Sequence, residues 1–517
     1  MRAILPAPER REQQVEPTAA TESITVMNPA TGEQVGSVPV DSAGDVAAAV
    51  ARIRANQPEW EALGFKGRRR WLNQLRDWML DNSDRIADTL KSETGKVRAE
   101  ATIETPYLAD QINYYGSKAE KFIGEQKVRP NSLLAASRKL RLQYRPYPVV
   151  GLISPWNFPL VLSMGDAIPA LMAGAAVVMK PSEITPLGLN EIVDAWRNEI
   201  GGPDVMTVVN GGAETATALI DHSDFVGFTG SDITGKKVMA RAAETLTPVS
   251  LELGGKDPLI VLEGANLERA ANAATWGGML NSGQMCISVE RIYVEDAIYD
   301  DFVGRLTANV KELRQGADGE VAACDIGAMT MLSQLEKVEK QVEDAVAEGA
   351  TVLTGGKRGE GPGQWFEPTV LVDCNPEMSV MEDETFGPVV TVTRVADEEE
   401  AIHLANDTRY GLCASVFGPR GRAERVARRI EAGAVNVNDM IFNMLAASLP
   451  MGGWKESGIG YRNGEYGIRK YCRSEAIVSA RTLIGRELLW FPYTESRHAV
   501  ANKLTRLIGA RGTRRFR

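Results

Sequence analysis

Hydrophobic positions change their period along this chain. Between residues 43 and 126 apolar side chains recur every third or fourth position, as in DVAAAVARIRANQPEWEAL and RRRWLNQLRDWMLDNSDRIADTLKSETG, which predicts a mostly helical segment. Short β-rich runs then take over: YPVVGLIS (147–154), AAVVMK (175–180), VMTVVN (205–210), FVGFTG (225–230) and PVSLEL (248–253). Helical spacing returns between them, in LGLNEIVDAWRNEI (187–200) and ETATALI (214–220), so the region reads as parallel βαβ units. A second alternating series contains IYVED (292–296), TVLTGG (351–356), PTVLVD (368–373), PVVTVTRV (388–395), ASVFG (414–418) and AVNVN (434–438). Its helices include DFVGRLTANVKELRQG and LSQLEKVEKQVEDAVAEGA. Two α/β units joined near residue 253 are therefore expected, with the upstream helices packed on the first sheet. RKLRLQYRPY (138–147) and CRSEAIVSAR (472–481) alternate as strands do but belong to neither series, which leaves them to pair as an arm.

A length of 517 residues agrees with this, since domains run to roughly 100–200 residues. The longest apolar stretch, Phe158 to Met179, is interrupted by Pro159, Asp166 and Pro169 and so predicts a buried core segment, not a membrane span. The first 23 residues lack the apolar core of a signal peptide and read as a polar arm. The five cysteines, at 286, 324, 374, 413 and 472, contain no C-x-x-C pair, which argues against a disulfide framework or zinc knuckle and favours a reducing cytoplasm. Only His222, His403 and His498 are present, which disfavours Ser/His/Asp catalysis and a His-rich metal site; no metal is expected. A formal charge of −10 disfavours nucleic acid as a partner of the protein body.

Against this background a few residues stand out, each with two readings. Cys286, in NSGQMCIS, is either a small buried hydrophobe or a nucleophile; a Gly-containing polar turn ahead of a helix would present N–H groups that lower the thiol pKa and hold an oxyanion. Glu252, in LELGGKDP, is either a solvated strand end or a general base raised in pKa by apolar surroundings. Asn157, between the prolines of SPWNFP, serves either a turn or an oxyanion. FTGSDITGKK (228–237) matches G-x-x-x-x-G-K, but Lys237 stands where a P-loop needs Ser or Thr for Mg²⁺, so a Gly-Ser turn binding a dinucleotide pyrophosphate is favoured over a triphosphatase site. No G-x-G-x-x-G exists anywhere. Lys180 and Glu183, in MKPSEITP, either contact a ribose or face solvent; a carboxylate on a 2′-OH would repel a 2′-phosphate and favour NAD over NADP.

SPWNFP, KPSEITP, FTGS, LELGGKDP, NSGQMC, ETFGPV (384–389) and PMGGWKESGIG (450–460) occur in this order, and together they resemble the aldehyde dehydrogenase superfamily from about residue 24 to 480. The resemblance implies an α/β fold with a Rossmann-type cofactor domain (24–137 and 148–253), an α/β catalytic domain (254–450) and an oligomerisation arm of strands 138–147 and 471–481. Residues 1–23 would precede it as the polar arm, and 482–517 would follow as a C-terminal extension. It implies Cys286 as the nucleophile forming a thiohemiacetal and then a thioester, Asn157 and the Cys286 N–H as oxyanion donors, and Glu252 as the base that activates hydrolytic water. Cofactor contacts would come from Trp156 and Asn157 near the nicotinamide, Lys180 and Glu183 at the adenosine ribose, Gly230 and Ser231 at the pyrophosphate, Leu253 through its backbone, and Glu384 with Phe386 at the nicotinamide ribose. A homodimer or homotetramer is expected. Because coenzyme A-acylating members lack a glutamate at the Glu252 position, hydrolysis is the implied outcome; a catalytically silent structural relative is the different-class alternative, opposed by the intact Cys286, Glu252 and Asn157.

The segment SGQMCISVERIYVE (282–295) is similar to a bacterial succinate-semialdehyde dehydrogenase subgroup with a C-terminal extension, which makes that semialdehyde the leading small-molecule substrate. An apolar funnel of Phe158, Leu162, Met285, Ile287 and Met451, implied by family position, suits broad aliphatic or aromatic aldehydes instead. A semialdehyde carboxylate wants a cationic clamp, and no Arg is singled out for it. Residues 497–517 carry seven cations and no Asp or Glu, with Val500, Leu504, Leu507 and Ile508 spaced for one helix face. This tail reads as a solvated end, as a weak membrane-surface contact, or as an inter-subunit contact.

Overall fold

The structure is a computed structural model that describes residues 22–131, 135–317, 322–481, 484–510 and 512; the polar arm expected over 1–23 lies almost wholly outside them. The described chain opens on a hairpin that the sequence reading did not anticipate, β1 (Ser23–Met27) against β2 (Gln34–Pro39). Five helices follow between Ala43 and Ile123. The first starts with a capping box, in which Ser42 and Asp45 satisfy each other's backbone N–H groups. Val46, Val50, Ile53 and Trp60 form its buried stripe, on which the first core is built.

Strands β3 (Gln126–Val128) and β4 (Arg138–Pro146) leave this helical layer, and the chain enters a sheet of β5 (Val149–Ile153), β6 (Ala176–Lys180), β7 (Met206–Val208), β8 (Phe225–Thr229) and β9 (Val249–Glu252). All five are mutually parallel, in the order β9-β8-β5-β6-β7. The chain therefore runs outward from β5 in both directions. Ligands of such sheets gather at the carboxyl ends of the strands where the order reverses, here β5 and β8. Phe158 to Met179 is core, as the interrupted pattern predicts: the helix Pro159–Ala173 is buried along nearly its whole length, and β6 is wholly buried.

After β9 the chain crosses through Leu253–Lys256 into β10 (Asp257–Val261), a strand the sequence reading passed over, and so into a second sheet. Strands β11 (Val289–Glu295), β12 (Thr351–Thr354), β13 (Thr369–Val372), β14 (Val389–Val395), β15 (Cys413–Phe417) and β16 (Ala434–Val437) complete it in the order β12-β13-β14-β11-β10-β15-β16. Only β12 runs antiparallel. The changeover between sheets falls at residue 253, as expected. The chain then returns to the first sheet: β17 (Gly458–Ile459) pairs antiparallel with β9, setting Gly458 opposite Glu252.

The two orphan strands do pair. β18 (Cys472–Ala480) lies antiparallel to β4 in unbroken register from Cys472↔Pro146 to Ala480↔Arg138, with β3 on the other side of β4. The tail forms the helix Glu495–Gly509, capped by Thr494 and with none of its residues buried; 482, 483, 511 and 513–517 lie outside the described residues. No helix among the described residues is long and apolar enough to cross a membrane.

Candidate active site

Three chain segments meet at the carboxyl edge of the first sheet. Beyond β5, Pro155 and Asn157 frame Trp156 before the helix at Pro159, and Asn157 is buried there. Its carboxamide Nδ2 donates to the Gln284 carbonyl at 2.9 Å, while Oδ1 has no partner among the described residues. Beneath it, Lys96 Nζ donates to the Asn157 carbonyl at 2.9 Å and to Glu104 Oε1 at 2.9 Å. Glu104 Oε2 accepts from the Leu160 and Val161 N–H groups, so this buried ion pair ties the loop to the first turn of the following helix.

The loop that carries Cys286 joins helix Leu267–Met279 to β11. Its helix therefore precedes Cys286 and a strand follows, which corrects the expected turn-then-helix. Asn281, Ser282 and Gly283 are left-handed, with φ of 53°, 55° and 68°. At Gly283 a Cβ would lie 2.0 Å from the Gly387 carbonyl oxygen, so only glycine fits. Asn281 is held by its N–H to Glu100 Oε1 at 2.7 Å, and its side chain donates to the Asn157 and Gln284 carbonyls. Cys286 thus sits on a strained loop fastened to the Asn157 segment.

The expected lowering of the thiol pKa is also corrected. Burial, with Glu384 and Asp257 nearby, pushes Cys286 up to about 12; Arg462 pulls weakly the other way. A thiol so placed is protonated at neutral pH in the free protein. Glu252, last residue of β9, is buried with Oε1 unpartnered, and burial raises its carboxyl to about 7 against the pull of Arg462 and Lys470. That is the range in which a carboxylate serves as a base near neutrality.

A cavity of about 190 Å³ joins these segments, lined by Trp156, Asn157, Leu162, Thr229, Gly230, Ser231, Leu253, Gly254, Cys286, Gln334, Lys337, Glu384 and Phe386, with Pro155 at its edge. Eight of the eleven residues singled out from the sequence line it. Glu252 lies next to Leu253 behind the wall, and Lys180 with Glu183 sits one strand over at the end of β6, Nζ to Oε2 3.6 Å. Gly230 and Ser231 stand between β8 and the helix Asp232–Ala243, whose N-cap is Ser231. Glu384 Oε1 accepts from the Gly255 N–H at 3.0 Å, burial raises this carboxyl to about 7, and the Phe386 ring meets Trp156 edge-on at 5.5 Å.

Several supports went unread in the sequence. Lys256, inside the quoted LELGGKDP, is fully buried and bonds Glu290, whose carboxylate accepts from the Thr385 and Phe386 N–H groups and so fixes the loop carrying Glu384. Lys337 Nζ donates to the Glu384 carbonyl at 2.6 Å. Nothing local marks Lys96, Glu104 or Arg462, because the Asn157 loop that the first two hold and the Asp166 and Thr229 that the third binds are distant in sequence. The residues present fit the phosphate-bearing part of a dinucleotide: Gly230 and Ser231, at the capped N-terminus of the helix Asp232–Ala243, line the cavity.

A parallel sheet with a capped helix N-terminus, a half-buried thiol and a buried carboxylate at its carboxyl edge is an arrangement suited to a dinucleotide-dependent oxidoreductase. The sequence profile of the Aldehyde dehydrogenase family matches residues 15–477, and the chain belongs to that family. It is 40% identical over 480 residues, 91% of each chain, to a Mycolicibacterium smegmatis protein named "Putative succinate-semialdehyde dehydrogenase, NADP(+)". It is 38% identical over 483 residues, 92% of this chain and 89% of the other, to a Methylomonas protein named "4,4'-diapolycopene aldehyde oxidase". Among solved structures, Escherichia coli lactaldehyde dehydrogenase superposes with a TM-score of 0.85 at 35% identity, covering 90% of this chain and 96% of the other. The protein is an NAD(P)-dependent aldehyde dehydrogenase.

Proposed function

We propose that this enzyme oxidises an aldehyde to a carboxylic acid through covalent intermediates on Cys286, with NAD as the preferred cofactor and succinate semialdehyde as the leading substrate. The observation that carries the reading is one cavity lined by the half-buried Cys286 thiol and the Asn157 carboxamide, with the unpartnered, buried Glu252 carboxylate on the residue next to its lining Leu253. The Cys286 thiol gives its proton to solvent as its sulfur adds to the aldehyde carbon, and the thiohemiacetal oxyanion so formed is held by the Asn157 amide and the Cys286 N–H. A bound nicotinamide dinucleotide supplies the hydride acceptor; Trp156, Asn157, Lys180, Glu183, Gly230, Ser231, Leu253, Glu384 and Phe386 would hold it. Glu252 then takes a proton from water, which attacks the thioester and releases the acid and the free thiol.

NAD preference rests on Glu183, whose carboxylate beside Lys180 at the end of β6 would repel a 2′-phosphate. The Mycolicibacterium relative, named for NADP(+), pulls the other way. That relative's name also supports the semialdehyde. The apolar residues Phe158, Leu162, Met285, Ile287 and Met451, which share one buried cluster and of which Leu162 lines the cavity, favour broad aliphatic or aromatic aldehydes as the second reading. In the same proposal 24–137 with 148–253 is the cofactor unit, 254–450 the catalytic unit, and the enzyme works in the cytoplasm. The exposed β18, paired on one side only, is the edge on which a second subunit adds to give a dimer or tetramer.

The test is a panel of aldehydes, including succinate semialdehyde, alkanals and benzaldehydes, each with NAD and with NADP. We expect the highest kcat/KM for succinate semialdehyde with NAD. An NADP preference refutes the role given to Glu183, and no reduction of either cofactor with any aldehyde refutes the enzyme reading in favour of a silent relative.

A further inference from the structure

Behind Glu252 lies a buried ionic cluster that the reaction scheme does not use. Asp166, on the helix Pro159–Ala173, accepts from Arg462 at 2.7 Å, from Lys470 Nζ at 2.9 Å and from the Tyr471 hydroxyl at 2.7 Å. All four side chains are buried or nearly so. Arg462 also donates to Thr229 Oγ1 at 2.5 Å and to the Leu162 carbonyl at 3.5 Å. Its Nε has no partner among the described residues.

The position of this cluster follows from the sheet. Thr229 ends β8 and Glu252 ends β9, and the two are direct partners across adjacent parallel strands. β17, four residues before Arg462, sets Gly458 against Glu252 from the other side. Arg462 is itself fixed by a two-way backbone bridge with Met451. A guanidinium anchored on Thr229 therefore faces the carboxylate at the neighbouring strand end, and Arg462 Nε and Glu252 Oε1 are both buried without a hydrogen-bond partner among the described residues.

We propose that Arg462, held by Asp166 and Thr229, is a positioning residue that sets the pH at which Glu252 becomes a competent base. The charges facing Glu252 are Arg462, Lys470 and Asp166, with the Cys286 thiol across the cavity; Tyr107 and Tyr471 face Arg462. Two cations and one anion leave a net positive charge behind the carboxylate, which favours its ionised form and offsets part of the cost of burying it. The directions agree: Arg462 and Lys470 lower the Glu252 carboxyl, while Asp166 raises it. Lys470, bound to Asp166 and, at 3.4 Å, to Ser250, acts in the same sense but second to Arg462.

This inference rests on Glu252 as the hydrolytic base, and the experiment separates the two. The pH profile of steady-state turnover, and the amplitude of the first-turnover burst of NADH, are measured for the wild type, E252Q, R462Q and R462K. The wild-type acid limb is expected near pH 7 and should vanish in E252Q. R462Q is expected to move that limb up by about one pH unit, roughly a tenfold loss of rate at pH 6, with the burst retained. R462K keeps the charge and should restore the limb to within about 0.3 unit; it also answers for folding if R462Q is unstable. A limb that persists in E252Q refutes the base assignment. A limb that vanishes in E252Q but is unmoved in R462Q, or shifts equally in R462K and R462Q, overturns the role of Arg462.

Discussion

Glu252 and Cys286 both titrate upward, by the same cause and with opposite consequences. Burial holds the Glu252 carboxyl near 7, so hydrolysis of the thioester should fail below that pH as the base takes up a proton. For E252Q we expect one burst of NADH followed by accumulation of thioester; equal loss of burst and steady rate would count against a purely deacylating role. C286A should abolish turnover while cofactor still binds, as read by fluorescence titration. Glu252 also makes a stability prediction. Its folded pKa lies above the ordinary carboxyl value, so the stability linked to its neutral form is complete below about 4.5 and is lost as pH rises through about 7. Melting curves should show E252Q and wild type alike at pH 4, and E252Q the more stable at pH 8 by up to about 3 kcal/mol. A constant difference across pH would show that the carboxylate carries no such strain.

At the scale of elements, the loops of the site are set by buried ion pairs that the sequence pattern does not advertise. Lys96 and Glu104 have fully buried side chains and together hold the Asn157 carbonyl and the start of the following helix. Replacing Lys96 by Met strands a buried carboxylate, which should cost about 3–5 kcal/mol in denaturant unfolding. The double variant K96M/E104Q should recover at least half of that, since the unpaired charge is gone. Equal losses would mean that packing of the lysine stem, not the charge, is what matters. Element by element, periodicity located nearly every strand of both sheets, because parallel strands covered on both faces read as continuous apolar runs. It passed over β10, which follows two glycines within a motif read for its chemistry, and the hairpin of β1 and β2, where exposed and buried positions mix. It also misjudged the nucleophile loop: three left-handed residues in a row reverse the chain, so the helix lies before the cysteine and not after it.

For the whole molecule, the two sheets, the crossing at residue 253 and the β4–β18 pairing were legible from alternation alone, whereas the return of the chain through β17 was not. That return brings Arg462, 210 positions from Glu252 in the chain, to the far side of that carboxylate. The tail makes a contrasting prediction. Its helix has no buried residue, while Glu487 pairs with Arg138 on the arm, so a chain ending at residue 493 should melt within about 1 °C of the full chain and keep its activity. A larger drop would show that the helix is covered in the assembled enzyme. Sequence by itself determined the residue types and their order: a thiol in a Gly-containing turn, a carboxylate at a strand end and a carboxamide between two prolines, a Gly-Ser turn before a helix, and too few histidines for other chemistries. These are local facts, carried by neighbours in the chain. Only the tertiary structure decided protonation, because the pKa of Cys286 and Glu252 depends on burial and on charges such as Arg462, Asp166 and Glu384 that come from distant segments. The thiol that the sequence led one to expect as acidic is, in its folded surroundings, the opposite.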